Sequence, residues 1–313
     1  MTAIRSIAEG VRRVARSPKL IAGLWLVSVA AALPAALVMR EVLAESIGGS
    51  LFHASLSEGF DDDWYAEFEA EAKTGLARTF GPGVIGVGAV YDNLEAWWSG
   101  RLFTDFPVGL VSLGVAYALL WTFLAGGVLD RLAGHSARPG GLAGFLAACG
   151  RTFGSFLLLA LASGVAYALI YLLGRRLYGW IEDSARDVTS ERTVLLRVLL
   201  AAALVVALLH LVRMVFDYAR IAVYSDGVSA LRGLRRGVAF VAARPGRTAA
   251  VYAGLGLVAL LLVAVYAGVA PGAGASSALT VVLAFLVSQL YLVARLAVRL
   301  SVLGAELHLF RSS

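Results

Sequence analysis

Six runs of about twenty apolar residues constrain this chain more than anything else in it. They lie at Leu20–Val38, Pro107–Leu129, Phe153–Leu173, Val194–Phe216, Thr248–Val269 and Leu279–Leu300. Bilayer hydrocarbon is about 30 Å thick, and roughly 20 residues of α-helix cross it. Lipid offers no partner to a free N–H or C=O, so each run predicts a transmembrane helix. The expected fold is an all-α polytopic membrane protein, with residues 1–313 as a single membrane domain. The first run also has the length of a signal-peptide core. Its long basic approach and the five spans that follow favour an uncleaved anchor. Composition agrees: 59 % of residues are hydrophobic and 15 % charged, against about half and a quarter in ordinary globular chains.

Orientation follows from where arginine and lysine fall. Arg5, Arg12, Arg13, Arg16 and Lys19 precede the first span. Arg131, Arg138 and Arg151 lie between spans two and three, and Arg220, Arg232, Arg235, Arg236, Arg244 and Arg247 between four and five. The opposite loops are acidic at residues 41–106, balanced at Arg175–Thr193 and uncharged at Pro271–Ala278. Both termini are therefore expected in the cytoplasm, across the inner membrane of a bacterium. The arginine-for-lysine bias and the Ala, Gly, Val and Leu excess fit a GC-rich bacterial genome. The net charge of +6 is divided among loops by side, which argues against nucleic acid as a partner. The single Cys149 excludes an intramolecular disulfide and a cysteine-rich metal site.

A pattern recurs before the odd-numbered spans. Gly10-Val-Arg-Arg-Val-Ala-Arg-Ser-Pro18 and Gly237-Val-Ala-Phe-Val-Ala-Ala-Arg-Pro245 share Gly, Val, Val, Ala and Pro at equal offsets. Gly141-Leu-Ala-Gly-Phe-Leu-Ala-Ala-Cys-Gly-Arg151 has similar periodicity and no proline. The pattern predicts three helical hairpins about a pseudo-threefold axis, each opened by a short amphipathic helix. The alternative is chance similarity within a chain rich in Ala, Val and Arg. Ile4, Ile7, Val11 and Val14 recur at helical spacing opposite Arg5, Arg12, Arg13 and Arg16. Such a helix suits an interface with anionic inner-leaflet lipids.

Residues 41–106 form the one large segment outside the spans. Asp61-Asp-Asp-Trp-Tyr-Ala-Glu67 reads as a helix start with a carboxylate cap. Asp61, Asp63 and Glu67 are oxygen ligands of the kind calcium takes, but the glycine and ligand spacing of a calcium loop are missing. Phe80–Tyr91 is apolar, glycine-rich and too short to span, and Trp97-Trp98 suits a membrane–water boundary. The segment either lies on the outer interface or re-enters the membrane.

The most polar helix end is on span four, where His210, Arg213, Asp217, Arg220 and Tyr224 are spaced to share a face. Asp130, with Arg131 beside it, and Arg295 and Arg299 converge there if the hairpins pack together. Ionisable groups at membrane depth mark pathways and headgroup sites. The structural alternative is arginines that snorkel at an inward helix end, with Asp217 as their pair. Small residues at four-residue spacing, Ala160, Gly164 and Ala168 in span three and Gly114 and Ala118 in span two, read as packing positions. The four histidines stand far apart, and no nucleotide-binding loop, nucleophile elbow or Cys–His pair occurs. The sequence thus implies no cofactor, metal or catalytic set.

The runs Phe60-Asp-Asp-Asp-Trp-Tyr-Ala-Glu-Phe68, Phe80-Gly-Pro-Gly-Val-Ile-Gly, Tyr91-Asp-Asn-Leu and Trp121-Thr-Phe-Leu-Ala-Gly-Gly-Val-Leu-Asp-Arg131 resemble a group of uncharacterised bacterial six-span membrane proteins. The hairpin layout is also distantly similar to the membrane domain attached to some glycerophosphodiester phosphodiesterases, without their catalytic domain. Neither resemblance supplies a site. The expected function is a non-enzymatic scaffold or accessory subunit of a membrane complex, in contact with lipid and a protein partner. A transporter or channel for a small or lipidic solute is the alternative, and a lipid-processing intramembrane enzyme the third.

Overall fold

The computed structural model describes residues 2–49, 61–71, 108–134, 141–186, 190–269 and 277–312. All regular structure among them is helical: α1 (Ala3–Ala15), α2 (Pro18–Gly49), α3 (Asp62–Glu71), α4 (Val108–Leu132), α5 (Gly141–Ala185), α6 (Glu191–Asp226), α7 (Ala230–Ala243), α8 (Pro245–Val269) and α9 (Ala278–Arg311). Six of these, α2, α4, α5, α6, α8 and α9, are long and apolar enough to cross a membrane. The apolar Phe80–Tyr91 run, the paired tryptophans and Arg138 lie outside the described residues.

Local chemistry sets the helix ends. Pro18 and Pro245 open α2 and α8. A proline lacks the N–H that a helix interior needs but is suited to the first turn, and it disfavours helical geometry in the residue before it. The amphipathic helices α1 and α7 therefore stop at Arg16 and Arg244. The Gly141–Arg151 stretch has no proline, and there the amphipathic piece and the span fuse into α5, a single helix of 45 residues. Helix α5 also outruns its apolar stretch through Gly174–Ala185, because Leu177 and Ile181 line a seam with Val198, Ala202 and Val205 of α6. The balanced loop expected at Arg175–Thr193 is accordingly mostly helix. Asp61 caps α3 as its sequence predicts, with Oδ1 accepting from the N–H groups of Asp63 and Trp64 at 3.0 Å each.

Close helix contacts gather at the end of the molecule that carries both termini. Helix α1 runs antiparallel to the last turns of α9, where Ser6 and His308 meet at 3.4 Å. A methyl on Gly10 would stand 2.5 Å from the Ser301 carbonyl and 2.6 Å from the Ala305 nitrogen. Farther along α9, Trp25 of α2 donates to its Gln289 at 2.9 Å. Helix α7 meets α6 in the same way: a methyl on Gly237 would stand 2.6 Å from the Val215 carbonyl and 2.8 Å from the Ala219 nitrogen. Between α4 and α5, Gly126 and Gly127 admit Ala148, Thr152, Phe145 and Cys149. Only hydrogen fits at these crossings.

The core forms around those contacts. Val128, Leu129, Phe156, Tyr218, Ile221, Leu300 and Leu307 are buried there, and Arg13 ties α1 to α4 by donating to the Leu132 carbonyl at 2.9 Å. Burial pushes the Glu9 carboxyl upward, but Arg13 and Arg12 outweigh it and hold the group below the usual carboxylate range. Towards the far end the spans are bare. Of the most apolar stretch of α2 and of α9, 6 % is buried by the rest of the chain, against 39 % in α4. Ile4 and Val11 of α1 are also exposed, while Ser6 and Gly10 face α9 and Val14 is buried. Part of the amphipathic stripe thus serves helix packing.

Candidate functional site

Helix α6 reaches the packed end carrying Arg213, Asp217 and Arg220 on one face. Asp217 is 6 % exposed, and both its oxygens are engaged. Arg220 donates to Oδ1 at 2.8 Å, and the Tyr252 hydroxyl of α8 donates to Oδ2 at 2.7 Å. Arg213 is more distant, with Nε 3.7 Å from Oδ2, and its guanidinium lies 5.9 Å from the centre of the Tyr252 ring. Arg220 is thus the close partner and Arg213 the looser one.

A second carboxylate stands beside the first. Glu306 of α9 is fully enclosed, within electrostatic reach of Asp217, Arg213 and Arg220. The Tyr252 hydroxyl lies against it as well, but that hydroxyl is committed to Asp217. Neither Glu306 oxygen has a hydrogen-bond partner among the described residues, nor does the buried hydroxyl of Tyr218. The Tyr218 ring packs on Phe240, which packs in turn on Phe310, at centroid distances of 4.6 and 5.0 Å.

The structure brings Arg299 into this neighbourhood. Its guanidinium stacks 3.9 Å from the centre of the Trp121 ring, and Tyr117, Arg213 and Asp217 are all within its electrostatic reach. It is exposed, as is Arg213. The other candidates stand apart. Exposed His210 donates from Nδ1 to the Val206 carbonyl of its own helix at 2.8 Å. Arg295 is exposed and makes no ion pair with the described residues. Asp130 belongs to a separate group nearer the termini, accepting from the Tyr224 hydroxyl at 3.0 Å with Arg151 at 3.8 Å.

Sequence reasoning therefore found Arg213, Asp217, Arg220 and Arg299 and missed Tyr252 and Glu306. A signal for Glu306 existed: it is the lone carboxylate in Leu300-Ser-Val-Leu-Gly-Ala-Glu-Leu-His-Leu-Phe310. The stretch lies beyond the apolar run Leu279–Leu300, yet its apolar residues continue as α9. Among the described residues no group of three or more His, Cys, Asp or Glu side chains is placed to hold a metal ion. The arrangement suits electrostatic binding and the joining of three helices. Compared with protein families, curated proteins and solved structures, the chain matches none.

Proposed function

We propose that this chain is a non-enzymatic protein of the bacterial inner membrane, a scaffold or accessory subunit of a membrane complex, with both termini in the cytoplasm. The observation that carries the reading is the open faces of its spans. Small residues at four-residue spacing let transmembrane helices approach closely. Yet Gly164 of α5 and Gly114 of α4 have nothing within 4 Å of where a side chain would begin, and Ala118 and Ala168 beside them are exposed. Partner helices fit those faces. The packed terminus end supplies a rigid base, and the exposed Ile4, Val11, Arg5 and Arg12 of α1 suit an anionic inner leaflet. The matching seats of Gly10 on α9 and Gly237 on α6 support three related hairpins.

A transporter for a small or lipidic solute is the second reading, favoured by the meeting of Arg213, Asp217, Tyr252, Arg299 and Glu306 from three helices. The lipid-processing enzyme is the weaker reading, since it needs carboxylates open to a lipid groove and Asp217 and Glu306 are 6 % and 0 % exposed. Mild crosslinking in cells, followed by purification and mass spectrometry, tests the scaffold. A stoichiometric protein partner is the expected result. Recovery of this chain alone with bound lipid would end that reading and direct work to flux assays in liposomes.

A further inference from the structure

Glu306 is the one carboxyl among the described residues with no exposure at all. It lies on the last turns of α9, beyond the apolar run Leu279–Leu300, and the helices close round it. On one side of α9 the Gly10 Cα of α1 stands 3.1 Å from where a side chain on Gly304 would begin. On another, Phe310, one turn on from Glu306, packs on Phe240 of α7 at 5.0 Å, and Phe240 packs on Tyr218 of α6 at 4.6 Å. Val302, Ala305, Leu307 and Leu309 of the same turns are buried too. Neither Glu306 oxygen is open to water, and neither accepts a hydrogen bond from the described residues.

The ionisable groups that face it are Asp217, Arg213 and Arg220 of α6, Tyr252 of α8 and Tyr218 of α6. From α7 it meets the Phe240 side of the core, and from α1 the Gly10 backbone lies nearest. Arg220 donates to Asp217 Oδ1 at 2.8 Å, and those two charges offset each other. Arg213 lies with Nε 3.7 Å from Asp217 Oδ2 and its side chain 51 % exposed, where solvent screens it. The Tyr252 hydroxyl has given its one hydrogen to Asp217 Oδ2 at 2.7 Å. A carboxylate at Glu306 would therefore have no donor and would face a tyrosine oxygen with only lone pairs left. An ionised carboxylate enclosed without donors costs far more than a neutral polar group, and such a group takes up a proton instead. As the acid, Glu306 has a hydrogen to offer, and a phenolic oxygen that has donated still accepts.

We propose that Glu306 is a proton-binding site: it is carried as the neutral acid at neutral pH, offers its hydrogen to the Tyr252 oxygen, and makes the seating of α9 against α6 and α8 depend on pH. The site goes beyond the scaffold reading and does not rest on it.

The direction of the pH dependence follows from which state holds the proton. An unfolded glutamate ionises above about pH 4.3, whereas the folded one keeps its proton. The stability it carries is thus fully present below that pH. Above it, the folding equilibrium should fall by about tenfold per pH unit until the folded carboxyl itself titrates. Glutamine has the shape of the neutral acid and does not titrate. Glu306→Gln should therefore melt with wild type near about pH 4 and increasingly above it as the pH rises.

Infrared spectroscopy of the full chain in detergent reads the proton directly. At about pH 7 the exposed carboxylates are ionised, so the carbonyl stretch of a protonated carboxyl should stand out in wild type. It should respond only slowly to heavy water, because the group is enclosed. The band should be missing from Glu306→Gln and kept in Asp217→Asn. Its absence from wild type, a measurement that needs no variant to fold, overturns the proposal. So does a band lost in Asp217→Asn and kept in Glu306→Gln, or a melting difference between Glu306→Gln and wild type that stays constant with pH. Stabilisation of wild type by sodium chloride over choline chloride, with no carboxyl band, would assign a metal cation to the carboxylate and overturn it as well.

Discussion

Glu306 and Asp217 are neighbouring carboxylates in opposite circumstances, and substitution should separate them. Asp217 accepts from Arg220 and Tyr252, so Asp217→Asn leaves a guanidinium beside a neutral amide and should cost about 1–3 kcal/mol. Tyr252→Phe removes one of those bonds and should cost about 1 kcal/mol. Glu306 has no donor among the described residues and is fully enclosed. A buried carboxyl group that accepts no hydrogen bond opposes folding, so Glu306→Gln should leave the melting temperature unchanged or raise it. Thermal unfolding of the purified protein in one detergent checks all three. A large loss in Glu306→Gln would mean that the carboxylate has a stabilising partner. Helical spacing alone places Arg213, Asp217 and Arg220 on one face, which is why they were legible in the sequence. Tyr252 was not, because a tyrosine early in an apolar span looks the same whether it faces lipid or a carboxylate.

At the scale of elements, the glycines divide by what faces them. Gly10 and Gly237 sit where a methyl would strike backbone of the neighbouring helix at 2.5 and 2.6 Å, and backbone cannot rotate aside. Gly10→Ala and Gly237→Ala should each destabilise by about 1–3 kcal/mol, the range for overpacked sites. Gly23 of α2 has nothing within 4 Å, so Gly23→Ala should stabilise by roughly 0.5–1 kcal/mol through helix propensity. Melting temperatures of the three variants decide the matter, and equal behaviour would show that the crossings are looser than the structure has them. The prolines act at this scale too. Pro18 and Pro245 separate α1 from α2 and α7 from α8, and α5, which contains no proline, is unbroken over its 45 residues.

For the whole molecule, the polarised packing predicts how the chain sits in its membrane. The termini meet at one end through Ser6 and His308, and in the orientation we propose from the charge bias of the loops that end faces the cytoplasm. Cys149 is buried and should stay silent towards an impermeant maleimide. Asp62→Cys should therefore be labelled from outside in spheroplasts, and Ser312→Cys only after lysis. The reverse pattern would invert the orientation. The six helices of membrane-crossing length, the breaks at Pro18 and Pro245 and the cap at Asp61 were readable from the sequence, because they follow from hydrophobic length and from backbone chemistry within a few residues. That Glu306, Tyr252 and Arg299 gather about Asp217 while His210 and Arg295 face elsewhere came from the packing of the helices. Those relations depend on how far one helix is rotated and shifted against another, which is set by the close crossings at Gly10, Gly126 and Gly237 and not by the periodicity of any one helix.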